Sequence, residues 1–276
     1  MSAPVLRINK LVKRFGGILA TDHVSLDIAP NTIHALIGPN GAGKTTLVHQ
    51  LAGTLMADEG SIEFLGHNIA RFPIHKRVAQ GIARSYQLTN IFASYTVLHN
   101  VLLAVQARSG SSFRFYGSPF NERELIAEAM DIIAMVGLQG SEQQLAKSLS
   151  YGEQRRIEIA LALATRPKLL LLDEPLAGMG TSDAEQIVHL IERLKAQTTI
   201  VLIEHDMHAV FRLADQISVL VYGKVIATDA PAAIRASPAV RSTAARWACT
   251  CGRCATSPPT PTAGSMTGPS VAAPAW

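Results

Sequence analysis

Apolar and polar positions in the second half of the chain follow strand-like and helix-like spacings in turn. After Pro167 the pattern predicts a strand at "KLLLLDEP", a helix over 183–196, a strand at "TTIVLIEHD", a helix over 207–214 and a hairpin at "ISVLVYGKVIAT". The run of leucines suits a strand that is buried on both faces. Strands that alternate with helices in this way form a parallel sheet with helices on its faces, so we expect an α/β fold.

The N-terminal part of the chain is rich in strand patterns. Residues 5–28 predict two or three β-strands around the "FGG" turn, and "TIHALIG" and "GSIEFLGHNI" predict further strands. Between these last two, "KTTLVHQLAGTL" predicts a helix, because its apolar residues have helical spacing at Leu47, Val48, Leu51 and Leu55.

Helical patterns dominate the middle of the chain. From about 92 to 166 the strand signals fade, and "ERELIAEAMDIIAMVGL" is amphipathic and ends at a glycine, as helices often do. The segment 107–120, "ARSGSSFRFYGSPF", predicts a loop. We therefore expect a helical unit inserted between the predicted strands.

The stretch "GPNGAGKTT" has the spacing of a phosphate-binding loop. The pattern G-x-x-x-x-G-K-[ST] is met at Gly38, Gly43, Lys44 and Thr45. Glycines let several backbone N–H groups point at one anion, Lys44 adds a positive charge for the β- and γ-phosphates, and the Thr45 hydroxyl suits a magnesium ion. A strand is predicted before the loop and a helix after it, so the phosphates would lie at a helix N-terminus. The expected nucleotide-binding residues of this run are Gly38, Pro39, Asn40, Gly41, Ala42, Gly43, Lys44, Thr45 and Thr46.

Two further polar groups follow buried strands. Asp173 comes at the carboxyl edge of "LLLLD", where it can hold magnesium, and Glu174 can polarise a water for attack on the γ-phosphate. His205 follows the next strand, and a neutral imidazole there can contact the γ-phosphate and sense its loss. We predict catalytic roles for Glu174 and His205.

The stretch "LSYGEQRRIEIALALATRP" predicts a second anion site at a helix start. Ser150 and Gly152 offer a hydroxyl and bare backbone amides there. One ATP does not need two phosphate cradles within a monomer, so we expect Ser150 and Gly152 to serve the ATP of another copy. That arrangement is typical of a dimerising switch rather than a metabolic kinase. A small GTPase is disfavoured because "NKLV" at 9–12 lacks the acid of a guanine-reading motif.

Composition and charge narrow the class of protein. Of the 276 residues, 48% are hydrophobic and 17% charged, and no apolar run reaches the ~18 residues that span a bilayer. The N-terminus lacks the apolar core of a signal peptide, so we expect a cytoplasmic chain. The net charge is +4, but Lys and Arg are scattered, and we expect no nucleic-acid partner.

The C-terminal segment differs from the rest of the chain. It contains Cys249, Cys251 and Cys254, which lack the fourth ligand that structural zinc usually needs. From Thr256 onward it carries no charged residue and is rich in Pro, Gly, Ser and Thr. We predict a disordered tail over 248–276.

The motifs together resemble the nucleotide-binding subunit of an ABC transporter. "GPNGAGKTT" resembles the family's phosphate loop, "LSYGEQ" its signature, "LLLLDEP" its second acidic motif and "EHD" its switch histidine. The resemblance runs from about Val5 to Arg241, with all motifs in order. It implies that Phe15 stacks on adenine and that Gln87 touches magnesium and reports to the membrane subunit.

The resemblance also implies fold and partners. The expected fold is an α/β phosphate-loop NTPase core with an N-terminal antiparallel β subdomain and an inserted α-helical subdomain, over 1–247 with the helical part at about 88–166. ATP and Mg²⁺ would be the cofactors. The partners would be a second ABC ATPase subunit, integral membrane permeases and, indirectly, a periplasmic solute-binding protein, with the chain on the cytoplasmic face of the inner membrane.

Within that family, "GIARSYQLTNIF", "YTVLHNV" and "IEHDMHAVF" look most like importer subunits for branched-chain amino acids, of the LivG type. Urea and short-chain amide importers carry similar subunits, and soluble ABC ATPases outside transport are a further alternative. Three departures from the family pattern stand out: Gly180 replaces a common aspartate, Tyr151 replaces a common glycine of the signature, and the pattern stops near "PAVR".

Overall fold

The computed structural model describes residues 3–85, 91–109 and 119–237, without the side chains of 119–122. Its strands, in chain order, are β1 (Leu6–Phe15), β2 (Ile18–Ile28), β3 (Ile33–Ile37), β4 (Glu59–Phe64), β5 (His67–Asn68), β6 (Ile82–Arg84), β7 (Leu169–Asp173), β8 (Thr199–Ile203), β9 (Gln216–Val221) and β10 (Lys224–Asp229). Its helices are α1 (Lys44–Ala52), α2 (Ile74–Gln80), α3 (Val97–Ser109), α4 (Pro119–Met135), α5 (Tyr151–Leu163), α6 (Thr181–Leu194), α7 (Met207–Leu213) and α8 (Pro231–Ala236). Gln87 and the segment 248–276 lie outside the described residues.

The larger sheet has six strands in the order β10-β9-β3-β8-β7-β6. Its strands from β9 to β6 run parallel, and β10 pairs antiparallel with β9. Every residue of β3, β7 and β8 is buried, because helices cover one face of the sheet and α1 with the smaller sheet covers the other. The α/β class that the sequence predicts is confirmed.

The smaller sheet has four antiparallel strands in the order β2-β1-β4-β5. The "FGG" turn joins β1 to β2, so residues 5–28 form two strands rather than three. The buried face of this sheet packs with α1 and the larger sheet in one apolar cluster that includes Leu6, Phe64 and Leu47. The expected antiparallel sheet near the N-terminus is therefore present.

Helices α3, α4 and α5 follow β6 and precede β7. They pack around Val101, Ile133 and Ile157, which are fully buried and belong to one cluster with the helix-facing side of the larger sheet. The prediction of a loop over 107–120 was wrong at both ends of that range, because α3 continues to Ser109 and α4 begins at Pro119. Residues 110–118 lie outside the described part of the chain.

The end of α1 also differs from the prediction. Leu55 was expected on the apolar face of the helix, but α1 ends at Ala52. Gly53 takes a left-handed conformation, with φ of 83°, and its N–H donates to the His49 carbonyl. Leu55 therefore lies beyond the helix, and the apolar spacing overstates its length.

The register of the larger sheet brings three strand ends to one edge. Ile203 at the end of β8 pairs with Leu36 of β3 on one side and with Asp173 of β7 on the other. The segments that leave these strands are 38–43, 174–180 and 204–206. They consequently lie side by side, and each carries predicted site residues.

Candidate active site

Two glycines of the phosphate loop, Gly38 and Gly43, are required by the packing around it. A Cβ at Gly38 would lie 2.1 Å from the carbonyl oxygen of Leu220, and a Cβ at Gly43 would lie 2.1 Å from that of Ala20. These separations are far below van der Waals contact, so a larger residue would displace backbone. Gly43 directly precedes α1, and no side chain caps that helix end. Since the first N–H groups of an α-helix have no partners within the helix, they are available to an anion.

Lys44 is the first residue of α1, and its side chain is buried inside the loop. Its Nζ donates to the carbonyl oxygens of Gly38 and Pro39 at 2.8 and 3.0 Å. Burial lowers the pKa of Lys44, and the negative charges of Glu174 and Asp173 oppose that shift. The loop carbonyls therefore hold the ammonium group beside the helix N-terminus, where phosphate oxygens can replace them.

A cleft of about 400 Å³ opens over this loop. It is lined by Ile18, Leu19, Ala20, Asn40, Gly41, Ala42, Gly43, Lys44, Thr45, Thr46, Glu174, His205 and Tyr222. The structure thus brings most of the predicted phosphate-loop residues together with both predicted catalytic residues. Ile18 and Tyr222 were not predicted, although both are large side chains beside turns and are largely exposed.

Phe15 is not among the residues that line the cleft. It ends β1 and pairs with Ile18 across the turn into β2, which places it next to a lining residue. Its ring is 49% exposed, and Lys13 Nζ lies 5.6 Å from the ring centroid. An exposed aromatic face at the rim suits base stacking, so its predicted role in adenine binding stays a prediction.

Asp173 ends β7, and its carboxylate is paired with an arginine that the sequence analysis missed. Arg84 at the end of β6 donates to Asp173 Oδ2 at 2.8 Å, and the two side chains are only 6% and 2% exposed. Strand pairing of β6 with β7 brings these residues together. The signal in the sequence was a charged residue directly after the apolar "GIA" of a short strand.

Glu174 and His205 face each other across the ends of β7 and β8. Glu174 Oε1 and His205 Nε2 lie 2.8 Å apart, and both residues line the cleft beside Lys44. Glu174 has a φ of 48°, which is uncommon for a residue with a side chain. The pair therefore places a carboxylate and an imidazole at the edge where the phosphate loop begins.

Ser150 caps α5 within its own chain. Its Oγ accepts from the Glu153 N–H at 3.3 Å, and the Glu153 carboxylate accepts from the Ser150 N–H at 2.9 Å, which is a capping box. A Cβ at Gly152 would lie 2.7 Å from Asp183 Cγ, so a larger residue at this helix start would have to displace the Asp183 side chain. Neither Ser150 nor Gly152 lines the cleft over Lys44.

The donors near the cleft suit Mg²⁺ held in part by a nucleotide. Thr45 supplies a hydroxyl, Asp173 a carboxylate, and Gln87, the third predicted ligand, lies outside the described residues. Within the described ranges, no group of three or more His, Cys, Asp or Glu residues is placed to hold a metal. Mg²⁺ typically binds through one or two carboxylates plus substrate phosphates rather than through an all-protein cage, so this donor set fits it.

The fold and the cleft define a class of protein: a phosphate-loop NTPase with its site at the carboxyl edge of a largely parallel sheet. Within that class, the chain belongs to the ABC transporter family, whose sequence profile matches residues 21–177. It is an ATP-binding and ATP-hydrolysing enzyme of that family. None of the helices in the described ranges combines the length and apolar character needed to cross a bilayer.

Relatives of known type match over nearly their full length. The chain is 38% identical over 248 residues to the high-affinity branched-chain amino acid transport ATP-binding protein LivG of Escherichia coli strain K12, with 87% of this chain and 97% of LivG covered. It is 36% identical over 247 residues to the corresponding protein BraF of Pseudomonas aeruginosa, with the same coverage. The crystal structure of MJ1267, an ATP-binding cassette of an ABC transporter in its ADP conformation, is 29% identical with a TM-score of 0.77, and the match covers 88% of this chain and 99% of that one.

Proposed function

We propose that the chain is the ATP-hydrolysing subunit of an ABC importer that takes up branched-chain amino acids or related solutes. Its similarity to LivG and BraF, which extends over 97% of each, supports this solute class. The main support for ATP hydrolysis is the Glu174–His205 pair, which faces the same cleft as Lys44. An importer of urea or short-chain amides and a soluble ABC ATPase are the alternatives.

The nucleotide phosphates would bind to residues 38–46, with α1 pointing its N-terminus at them. Lys44 would exchange the carbonyls of Gly38 and Pro39 for phosphate oxygens. Thr45, Asp173 and Gln87 would hold Mg²⁺, which when bound neutralises phosphate charge. Phe15 at the rim of the cleft would stack on the adenine.

Glu174 would orient the water that attacks the γ-phosphate and accept its proton. His205, at 2.8 Å from that carboxylate, would fix its orientation and contact the γ-phosphate. A general base acts within hydrogen-bond reach of the proton that it accepts. The turn after β7 must therefore be held in place, so that the Glu174 carboxylate stays close enough to the attacking water.

A second copy or a related subunit would complete each site. Ser150 and Gly152 lie outside the cleft of their own chain, at the start of α5, where Ser150 is exposed and Gly152 is buried. They are therefore suited to contact a nucleotide held by the opposing subunit, in a homodimer or a mixed pair. A serine hydroxyl can accept the Glu153 N–H and still donate its own O–H to a phosphate.

Separate permease subunits would form the path through the membrane, and a periplasmic binding protein would deliver the solute. The chain would then lie on the cytoplasmic face of the inner membrane and would not bind nucleic acid. We propose a nucleotide-binding domain over 1–247, with a helical subdomain over about 88–166 that contains α3, α4 and α5. The segment 248–276 would be a disordered tail.

Transport by the assembled complex tests the proposal. The chain is co-expressed with candidate permease and solute-binding proteins from the same genome, reconstituted, and assayed with leucine, isoleucine, valine, urea and acetamide. ATP-dependent uptake of the branched-chain amino acids is expected, and Lys44→Ala should abolish it. Uptake of urea or acetamide alone would favour the amide importer, and ATPase activity that no permease stimulates would overturn the transport role.

A further inference from the structure

The turn that carries Glu174 has an unusual backbone conformation. Glu174 adopts a φ of 48°, in the left-handed region that residues with a Cβ seldom occupy. Such a conformation persists only where surrounding contacts fix it. The backbone groups of residues 173–176 and their partners therefore indicate what holds the catalytic carboxylate.

Arg155 binds the carbonyl groups of this turn. It lies on α5, its side chain is buried, and it donates to the carbonyl oxygens of Asp173 at 2.9 Å and Glu174 at 3.3 Å. Glu158, one turn along α5, accepts from the same guanidinium group. A planar guanidinium can bind two adjacent carbonyl oxygens while it also pairs with a carboxylate.

Glu204 binds the N–H groups on the other side of the turn. Its Oε1 accepts from the Leu176 N–H at 2.8 Å, and its Oε2 accepts from the His205 N–H at 3.0 Å. The Asp206 N–H reaches the same Oε2 at 3.5 Å. One buried carboxylate therefore joins the segment after Glu174 to the segment that carries His205.

We infer that Arg155 and Glu204 are positioning residues that clamp the catalytic turn and set the Glu174–His205 pair. The guanidinium fixes the carbonyls before and at Glu174, and the carboxylate fixes the N–H groups two residues after Glu174 and at His205. This inference rests on the proposed role of Glu174 in orienting water. Neither clamp residue lines the cleft, so each acts through the backbone that it holds.

The clamp also connects the signature segment to the catalytic turn of the same chain. Ser150 caps α5, and Arg155 is on the second turn of that helix. Contact between Ser150 and a partner's nucleotide would therefore act on α5, the helix whose Arg155 binds the carbonyl of Glu174. The geometry favours coupling between closure of the dimer around the partner's nucleotide and hydrolysis of the nucleotide that this chain holds.

Substitutions that keep size and fold test the clamp. Glu204→Gln presents an amide N–H to one of the backbone N–H groups, and Arg155→Lys loses the planar pair of donors. For each we expect kcat for ATP hydrolysis to fall roughly ten- to a hundredfold, the scale of a misplacement of about 1 Å at a catalytic group. Calorimetric affinity for ATP should stay within about twofold, because the phosphate loop is unchanged.

Matched controls use residues of the same type that do not contact the turn of Glu174. Arg156, next to Arg155, donates to Gly137 at the protein surface, and Glu124 is an exposed residue of α4. Arg156→Lys and Glu124→Gln should keep the wild-type kcat. A loss of kcat in these controls equal to that in the clamp variants would show that the loss is not specific to the clamp, and would overturn the inference.

The variant Glu174→Gln tests the proposed role of Glu174 independently of the clamp variants. If that variant keeps wild-type kcat, the proposed function of Glu174 fails, whatever the clamp variants do. If it is inactive while Glu204→Gln and Arg155→Lys keep wild-type kcat, the clamp alone is overturned. If Glu174→Gln and the clamp variants all lose activity, Glu174→Gln combined with Arg155→Lys should lose no more activity than Glu174→Gln alone, because Arg155 binds only the carbonyls before and at Glu174, and the carboxylate that they position is already gone. A further loss in this double variant would assign Arg155 a separate, structural effect and would contradict the inference.

Discussion

Arg84 and Asp173 form an ion pair of 2.8 Å whose side chains are almost completely buried. Asp173 is also a proposed ligand of Mg²⁺, so the carboxylate that would meet the ion is already engaged by a cation from β6. Desolvation of both charges is costly, and loss of one partner would leave the other buried and uncompensated.

Arg84→Met should therefore destabilise the nucleotide-free protein by roughly 3–5 kcal/mol, as measured by urea unfolding. Mg²⁺ with ATP should recover a larger part of that loss than ATP with a chelator, because the ion would compensate the charge of Asp173. Equal recovery with and without Mg²⁺ would contradict a shared role of Asp173.

Lys44→Ala should abolish tight ATP binding. The ammonium group is buried in the loop that would hold the phosphates, and within the described ranges it donates to two loop carbonyls. Titration calorimetry is the measurement, with Lys76→Ala, an exposed lysine of α2, as the control. Wild-type affinity in Lys44→Ala would show that the phosphates bind elsewhere.

Phe15→Ala should weaken ATP binding by roughly 1–3 kcal/mol, the scale of aromatic–base stacking. The residue is half exposed and lies next to Ile18, which lines the cleft. Phe15→Trp should retain most of the affinity. If neither change alters the dissociation constant, the adenine contacts other residues, of which the exposed Tyr222 is the first to test.

Glu174→Gln should keep ATP binding and lower turnover by about two to four orders of magnitude, the range for loss of a positioned general base. ATP should then persist and hold two copies together through Ser150 and Gly152. Ser150→Arg added to Glu174→Gln should release that dimer, which light scattering with Mg²⁺ and ATP detects. Equal dimerisation of both variants would show that Ser150 does not contact the partner's nucleotide.

The buried residue His34 should make the stability of the folded protein sensitive to acid. It is fully buried on β3, where burial lowers its pKa to about 4 from 6.5, and its Nε2 lies 2.8 Å from Ser218 Oγ. Because the unfolded chain binds a proton on this histidine more readily, its contribution to stability is complete above pH 6.5 and is lost as the pH falls toward 4. The shift corresponds to roughly 3 kcal/mol. His34→Gln should flatten the dependence of unfolding free energy on pH in this window, whereas His67→Gln, at an exposed position, should leave the slope unchanged.

The parts of the site that the sequence predicts are those that carry a local pattern in the sequence. The phosphate loop, Asp173 with Glu174, and His205 each follow a recognisable buried strand, and the parallel sheet then brings them to one edge. Arg84 was not predicted because its contact with Asp173, 89 residues away, depends on β6 pairing with β7. Arg155 reaches the Asp173 carbonyl because α5 packs against β7, and Glu204 reaches the Leu176 N–H because β8 pairs with β7; no local pattern shows either contact. Leu55 was misplaced because helical spacing does not show that Gly53 ends the helix first.

The phosphate loop is tied to both sheets through the tip of the β9–β10 hairpin. Gly223 donates to the Ala42 carbonyl of the loop at 2.9 Å, and its own carbonyl accepts from the Asp22 N–H of β2 at 2.8 Å. The loop therefore loses its conformational entropy when the protein folds rather than when ATP arrives, and binding free energy is not spent on ordering it. Amide hydrogen exchange at Asp22, Ala42 and Gly223, whose N–H groups are bonded within the protein, should accordingly be slow without nucleotide and should change little when nucleotide binds.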